Sequence, residues 1–146
     1  MSPEAQLANA ASWKAVDAFI ERHTDSRWQA MAREFISDCV GLRLDRYFRA
    51  GQSMRHFVFS TRGHHGLSDE LRVTVELHPE EHTLRIAYGR NNLHFSPPEL
   101  EYTLPFDAGI KTFQRFLKQL WNSTATEAFP PELSDFTAPI LPIRLV

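Results

Sequence analysis

At 146 residues, 42% hydrophobic and 23% charged, the chain has the make-up of one ordinary globular domain, which excludes global disorder. Its net charge of −2 argues against general nucleic-acid binding, and no run approaches the ~18 apolar residues of a membrane span. A single cysteine, Cys39, excludes an intramolecular disulfide; with no basic and apolar leader pattern at the start, the expectation is a cytosolic protein.

Ser2 and Pro3 make a helix start, and Trp13, Val16 and Ile20 recur at helical spacing, so a first helix is predicted to end near Arg22. Asp25 or Ser26 caps a second helix, with Trp28, Ala32, Phe35, Cys39 and Leu42 on one face and Ile36, Val40, Leu44 and Tyr47 on a neighbouring one. Cys39 therefore reads as a buried structural thiol. Gly41 leaves residues 42–49 open: a strand holding Leu42, Leu44 and Phe48 is one reading. The pair Asp45 and Arg49, four residues apart in the favourable order, favours a helix running on to about Arg49.

Residues 54–62 alternate as a strand, with Phe57 and Phe59 on one face and His56 and Val58 on the other. The centre of the chain is the stretch LRVTVELHPEEHTLRIAY, residues 71–88. Leu71, Val73, Val75 and Leu77 alternate with polar residues, and Leu84, Ile86 and Tyr88 do the same after Pro79, Glu80, Glu81 and His82. That spacing predicts a hairpin turned on a type I bend with Pro79 at its second position. Leu77 then faces Leu84, Val75 faces Ile86, Val73 faces Tyr88, and Glu76 meets Arg85 on the other face. Residues 89–92 read as a turn, Leu93 and Phe95 as a short strand, and Leu100, Tyr102 and Leu104 as a last strand whose polar face carries Glu99 and Glu101.

Asp107 is predicted to cap a third helix with Ile110, Phe113, Leu117, Leu120 and Trp121 as its apolar stripe, ending at Asn122. The fold class is α+β: two N-terminal helices and one C-terminal helix packed on a mostly antiparallel meander sheet of about five strands. A single domain spans 1–146, with a helical region at 1–50, the sheet at 54–104, a helix at 107–122 and an extended proline-rich tail at 123–146. Whether that tail packs on its own chain or on a neighbour is open.

The patterns that carry chemistry give no catalytic residue, metal ligand or cofactor. His78, Pro79, Glu80, Glu81 and His82 match H-x-x-E-H, but that zinc motif needs a helix and here it spans a strand connection. His64 and His65 in a glycine-bounded loop, followed by Asp69 and Glu70, read as surface. His94, Phe95 and Ser96 form half of a paired histidine signature with no second copy. No nucleophile elbow, phosphate loop or dinucleotide fingerprint occurs.

Charge is more informative. Residues 22–62 carry eight Arg against four acidic residues, and residues 71–107 carry three Arg against six acidic residues. The expectation is an acidic docking surface for a protein partner, made of Glu76, Glu80, Glu81, Glu99 and Glu101, with no nucleic-acid or membrane partner. An ordinary solvated face is the plainer reading.

A cysteine-poor domain with a strand ending at Tyr88 and Gly89, then Leu93, His94 and Phe95, an acidic strand carrying Glu99 and Glu101, and a closing amphipathic helix resembles the immunity proteins of bacterial polymorphic toxins. The likeness spans residues 70–122. It implies a non-enzymatic protein that binds and neutralises a cognate toxin, and no catalytic residues. The net charge is smaller than that of strongly acidic nuclease inhibitors and leaves the class of toxin open. The alternatives are a secretion chaperone or adaptor, a small metal-dependent hydrolase using His64, His65, His78, His82 or His94, and an apolar-ligand pocket lined by Phe57, Phe59, Tyr102, Phe113 and Trp121, for which a filled core is the competing account.

Overall fold

The computed structural model describes residues 1–53, 55–61, 70–90 and 98–133. Its elements are helix α1 (Pro3–Glu21), helix α2 (Ser26–Gly41), a 3-10 turn (Leu44–Arg46), strands β1 (Arg49–Ser53), β2 (His56–Ser60), β3 (Leu71–His78), β4 (Thr83–Arg90) and β5 (Leu100–Pro105), helix α3 (Phe106–Thr124) and a second 3-10 turn (Pro131–Leu133). The strands form one sheet in the order β1-β2-β3-β4-β5, antiparallel throughout. This is the expected α+β meander with helices from both ends of the chain packed on it.

The expected starts of the first two helices hold. Ser2 Oγ accepts from the Ala5 amide at 3.1 Å with Pro3 at the first helical position, and Asp25 Oδ1 accepts from the amides of Arg27 and Trp28. The central register is also as expected, with Val73 opposite Tyr88, Val75 opposite Ile86, Glu76 opposite Arg85 and Leu77 opposite Leu84.

The chain departs from the sequence reading in four places. Helix α2 stops at Gly41, because Arg43 adopts a left-handed backbone with φ 64°, and the chain then turns through Leu44–Arg46 into β1. Neither the expected helix to about Arg49 nor the alternative strand through Leu42, Leu44 and Phe48 forms, and a strand begins only at Arg49; Val40 and Leu42 are exposed while Leu44 and Phe48 are buried. The hairpin turn is closed by the His82 amide donating to Pro79 O at 3.2 Å, so Pro79 stands first in that turn rather than second, and His82 takes the left-handed position at φ 53°. Gly89 and Arg90 continue β4 instead of turning. Asp107 lies in the first turn of α3 but makes no capping bond; the amide of Phe106 is satisfied by His82 O at 3.0 Å, and the helix runs on to Thr124. The strand expected at Leu93 and Phe95 and the tail beyond Leu133 lie outside the described residues.

Helix α1 fastens β1. On one face of that helix, Asn9 Nδ2 donates to Arg46 O at 3.0 Å, Ser12 Oγ accepts from the Ala50 amide at 2.9 Å, and Trp13 Nε1 donates to Phe48 O at 2.7 Å. The Ser12 bond occupies an amide of the edge strand itself, and the other two satisfy carbonyls of the segment leading into it. The core lies between the helices and one sheet face. Phe35 of α2 packs against Phe57, Phe59 and Phe113 at ring-centroid distances of 6.2, 6.4 and 5.1 Å, and Phe59 meets Phe113 at 4.8 Å. Burying each such ring stabilises the fold by roughly 1.5–3 kcal/mol.

Candidate functional site

Because side chains alternate along a strand, the register that sends Phe57, Phe59, Val73, Val75, Leu77, Leu84, Ile86 and Leu104 into the core sends the intervening residues to the opposite face. Across that face, Ser53, His56, Glu76, Arg85 and Thr103 share one transverse row, and Gly51, Val58, Thr74, Ala87 and Glu101 share the next. Arg49, Ser60, Arg72 and Gly89 follow the same alternation one row further on. The floor is made of small side chains and the charges stand around it.

The charges are paired with one another. Glu76 is held between two imidazoles: one carboxylate oxygen bonds His56 Nε2 and the other lies 3.0 Å from His78 Nε2. Arg85, opposite Glu76, donates from Nε to Glu101 on the neighbouring strand. That hydrogen bond lowers the Glu101 carboxyl below its usual range and raises the Arg85 guanidinium, to which Glu76 adds a smaller attraction. A continuous chain thus runs His78 and His56 to Glu76, beside Arg85, to Glu101.

One row along, Arg49 is buried. Its Nη2 donates to Ser60 Oγ at 2.7 Å and lies 3.4 Å from Glu70 Oε1, and both carboxylate and guanidinium are almost fully enclosed. Burial lowers the Arg49 pKa, against the opposing pull of Glu70. Its Nε and Nη1 have no hydrogen-bond partner among the described residues. A cleft of about 210 Å³ opens beside this row, with Thr74, Ala87 and Gly89 at its base and Arg72, Arg85 and His56 among its walls. Gly89 leaves room for a close approach there: a Cβ at that position would come within 3.2 Å of Pro98 Cα and 3.3 Å of the Glu99 amide nitrogen, and the backbone at 98 and 99 would have to give by a few tenths of an ångström.

Of the five glutamates expected to form a docking surface, the sheet brings Glu76 and Glu101 onto one face, on either side of Arg85, and ties both up in internal pairs. Glu80 and Glu81 are exposed on the β3–β4 turn, and Glu99 is exposed just before β5. Tyr88 and Leu100 are partners in the sheet, so Glu99 lies six strand positions from the turn, about 20 Å at 3.3 Å per residue. The five residues therefore spread along the length of β4 and β5 instead of clustering. The reversal of Glu101 to Lys, a natural test of an acidic patch, would break the Arg85 pair as well as remove a docking charge.

The histidines of the H-x-x-E-H stretch diverge. His78 turns to Glu76, whereas His82 lies 5.3 Å from the Phe106 ring and 3.8 Å from Asp107. Among the described residues no group of three or more His, Cys, Asp or Glu could hold a metal ion. His64, His65 and His94 lie outside the described residues. The aromatic residues proposed as a ligand lining are in contact with each other or with the core: Phe57, Phe59 and Phe113 are fully buried, and Trp121 packs on Phe48 at 5.8 Å. Tyr102 is half-buried at the side of that core.

Sequence reasoning missed His56 as the partner of Glu76, and the buried set Arg49, Ser60 and Glu70. Each joins residues eleven to twenty-one positions apart, and the missing signal was the β1–β2–β3 register. Among the described residues no helix is long and apolar enough to cross a membrane. The chain matches no family model, no curated protein and no solved structure.

Proposed function

We propose that this is a non-enzymatic, cytosolic protein that docks a protein partner on the side of its sheet that no described helix covers, and that it acts as an immunity protein neutralising a cognate bacterial toxin. The observation that carries the docking reading is the contrast between the two faces of one sheet. The helix-covered face is a filled aromatic core, whereas the other presents cross-linked charges at fixed positions around a base of small residues. Charges held in place before binding lose little freedom on docking and set orientation and encounter rate. Exposed Glu80, Glu81 and Glu99, which have no ion pair among the described residues, supply the long-range attraction for a basic partner. The toxin-neutralising role rests on the resemblance over residues 70–122.

The test begins with affinity capture of the tagged protein from its source cells, with metal assayed on the same sample. The expected result is one abundant toxin-bearing chain, no stoichiometric metal, and one-to-one binding by the two purified proteins. Coexpression should suppress that chain's toxicity. The combined variant E80K, E81K and E99K should bind it with a slower association rate and a weaker dependence on salt. Absence of a partner together with stoichiometric zinc would sink the reading and return attention to the histidines.

A further inference from the structure

Arg72 stands at an unusual point on the sheet face that no described helix covers. It lines the cleft of about 210 Å³, is half-buried, and makes no hydrogen bond or ion pair among the described residues. Burial lowers its pKa, with the Glu70 charge acting in the opposite sense. Glu70 lies against the Arg49 guanidinium, at 3.4 Å. Arg85 and His56, two other basic groups in the walls, are held by Glu101 and Glu76, which stand outside the cleft lining. A half-buried guanidinium that no described residue accepts from can turn its donors to solvent or to a ligand in the cleft, and partial desolvation strengthens its bond to an anion there.

The base of the cleft is shaped for a ligand as well as charged for one. Thr74 and Ala87 are directly opposite each other between β3 and β4, and Gly89 follows on β4. Arg72 and Arg85 stand at the two ends of this small-residue strip: Glu76, the register partner of Arg85, is four residues from Arg72, about 13 Å along the strand. Thr74 contributes a hydroxyl between them. The volume is below the roughly 300–1,000 Å³ of pockets for drug-sized molecules, so the occupant is small.

We propose that this cleft is a binding pocket for a small oxyanion, a phosphate- or carboxylate-bearing molecule that Arg72 holds through charge-assisted hydrogen bonds over Thr74, Ala87 and Gly89. Arginine presents a planar fork of donors that suits both kinds of oxyanion. The paired Arg85 closes the far end, and its bond to Glu101 fixes the side chain in place before the ligand arrives. A toxin or other protein partner is not required for this binding.

The experiment is isothermal titration of the full chain at low ionic strength with inorganic phosphate, with glycerol phosphate and with succinate as separate probes. The expected result is one-to-one saturable binding of at least one probe, with the preferred probe telling phosphate from carboxylate recognition. R72Q should weaken that binding about tenfold or more, the loss of a hydrogen bond to a charged group. A87L, which fills the base and removes no charge, should do the same, while E34Q, an exposed position on α2, should bind as the parent does. Circular dichroism and the melting temperature establish that each variant is folded. No saturable binding of any probe at millimolar concentration, or binding that survives both R72Q and A87L, overturns the proposal. Because no partner enters this experiment, its failure leaves the docking reading standing.

Discussion

Gly109 of α3 and Leu84 of β4 approach so closely that a methyl group on the glycine would lie inside the leucine. A Cβ built at position 109 falls 2.8 Å from Leu84 Cγ, 3.0 Å from Cδ1 and closer still to Cδ2, and Leu84 is fully buried. The absence of a side chain at 109 is what lets the helix settle onto the turn end of β4.

The G109A variant should therefore fail to gain the stability, about 1 kcal/mol, that alanine brings as the better helix former. Overpacking costs typically 1–3 kcal/mol, so a net loss of up to about 2 kcal/mol is expected in urea denaturation. In an L84A background the added methyl should cost less or nothing. Equal effects in both backgrounds would show that the contact does not limit the packing.

The bond from Trp13 Nε1 to Phe48 O is buried and ties α1 to the segment entering β1. Replacing Trp13 with Phe leaves that carbonyl without its donor, at a cost of about 1–3 kcal/mol, including the desolvated oxygen. Amide exchange should accelerate in residues 49–53 before the rest of the sheet. Uniform acceleration over all strands would place the role of Trp13 in the core alone.

The Arg85–Glu101 pair makes stability depend on acid. A carboxyl whose folded pKa is lowered adds stability that is fully present above its unfolded value, about 4.3 for Glu, and is lost as pH falls through the folded value. In denaturant titrations from pH 7 down to pH 3, the parent should lose more stability than E101Q, and the two curves should converge at the acid end. Parallel curves would remove the pair from the account of acid sensitivity.

Cys39 has no exposed surface, and burial pushes its thiol pKa well above the ordinary range, with Asp38 adding to the effect. An alkylating reagent should leave the native protein unmodified on a timescale of hours and label one site promptly in denaturant. Fast labelling of native protein would indicate that α2 opens readily from the sheet.

The β3–β4 hairpin was legible because its information is local: strict alternation on both sides of a four-residue connection leaves one register that buries every apolar residue. Helix starts at Ser2 and Asp25 were legible for the same reason, since a cap acts over three residues. Residues 42–49 were not. Their propensities and the Asp45–Arg49 spacing favour helix, and the strand forms because Ala50 can pair with Phe59 and be fastened by Ser12. Asp107 looked like a cap for want of knowing that His82 O would take the Phe106 amide.

The candidate site shows the same division. That Glu76 would face Arg85 follows from alternation within one hairpin, but the partners that finally hold these side chains, His56 and Glu101, come from strands on either side of it. The burial of Arg49 and Glu70 has no counterpart in local sequence, where both read as ordinary charged residues. By itself, then, the sequence determined which residues alternate, where two helices begin and which faces of β2, β3, β4 and β5 are apolar, because these depend on neighbours a few positions apart. The tertiary structure decided which charges are already paired, which arginine of the cleft has no partner among the described residues and where that cleft opens, because those depend on how five strands line up.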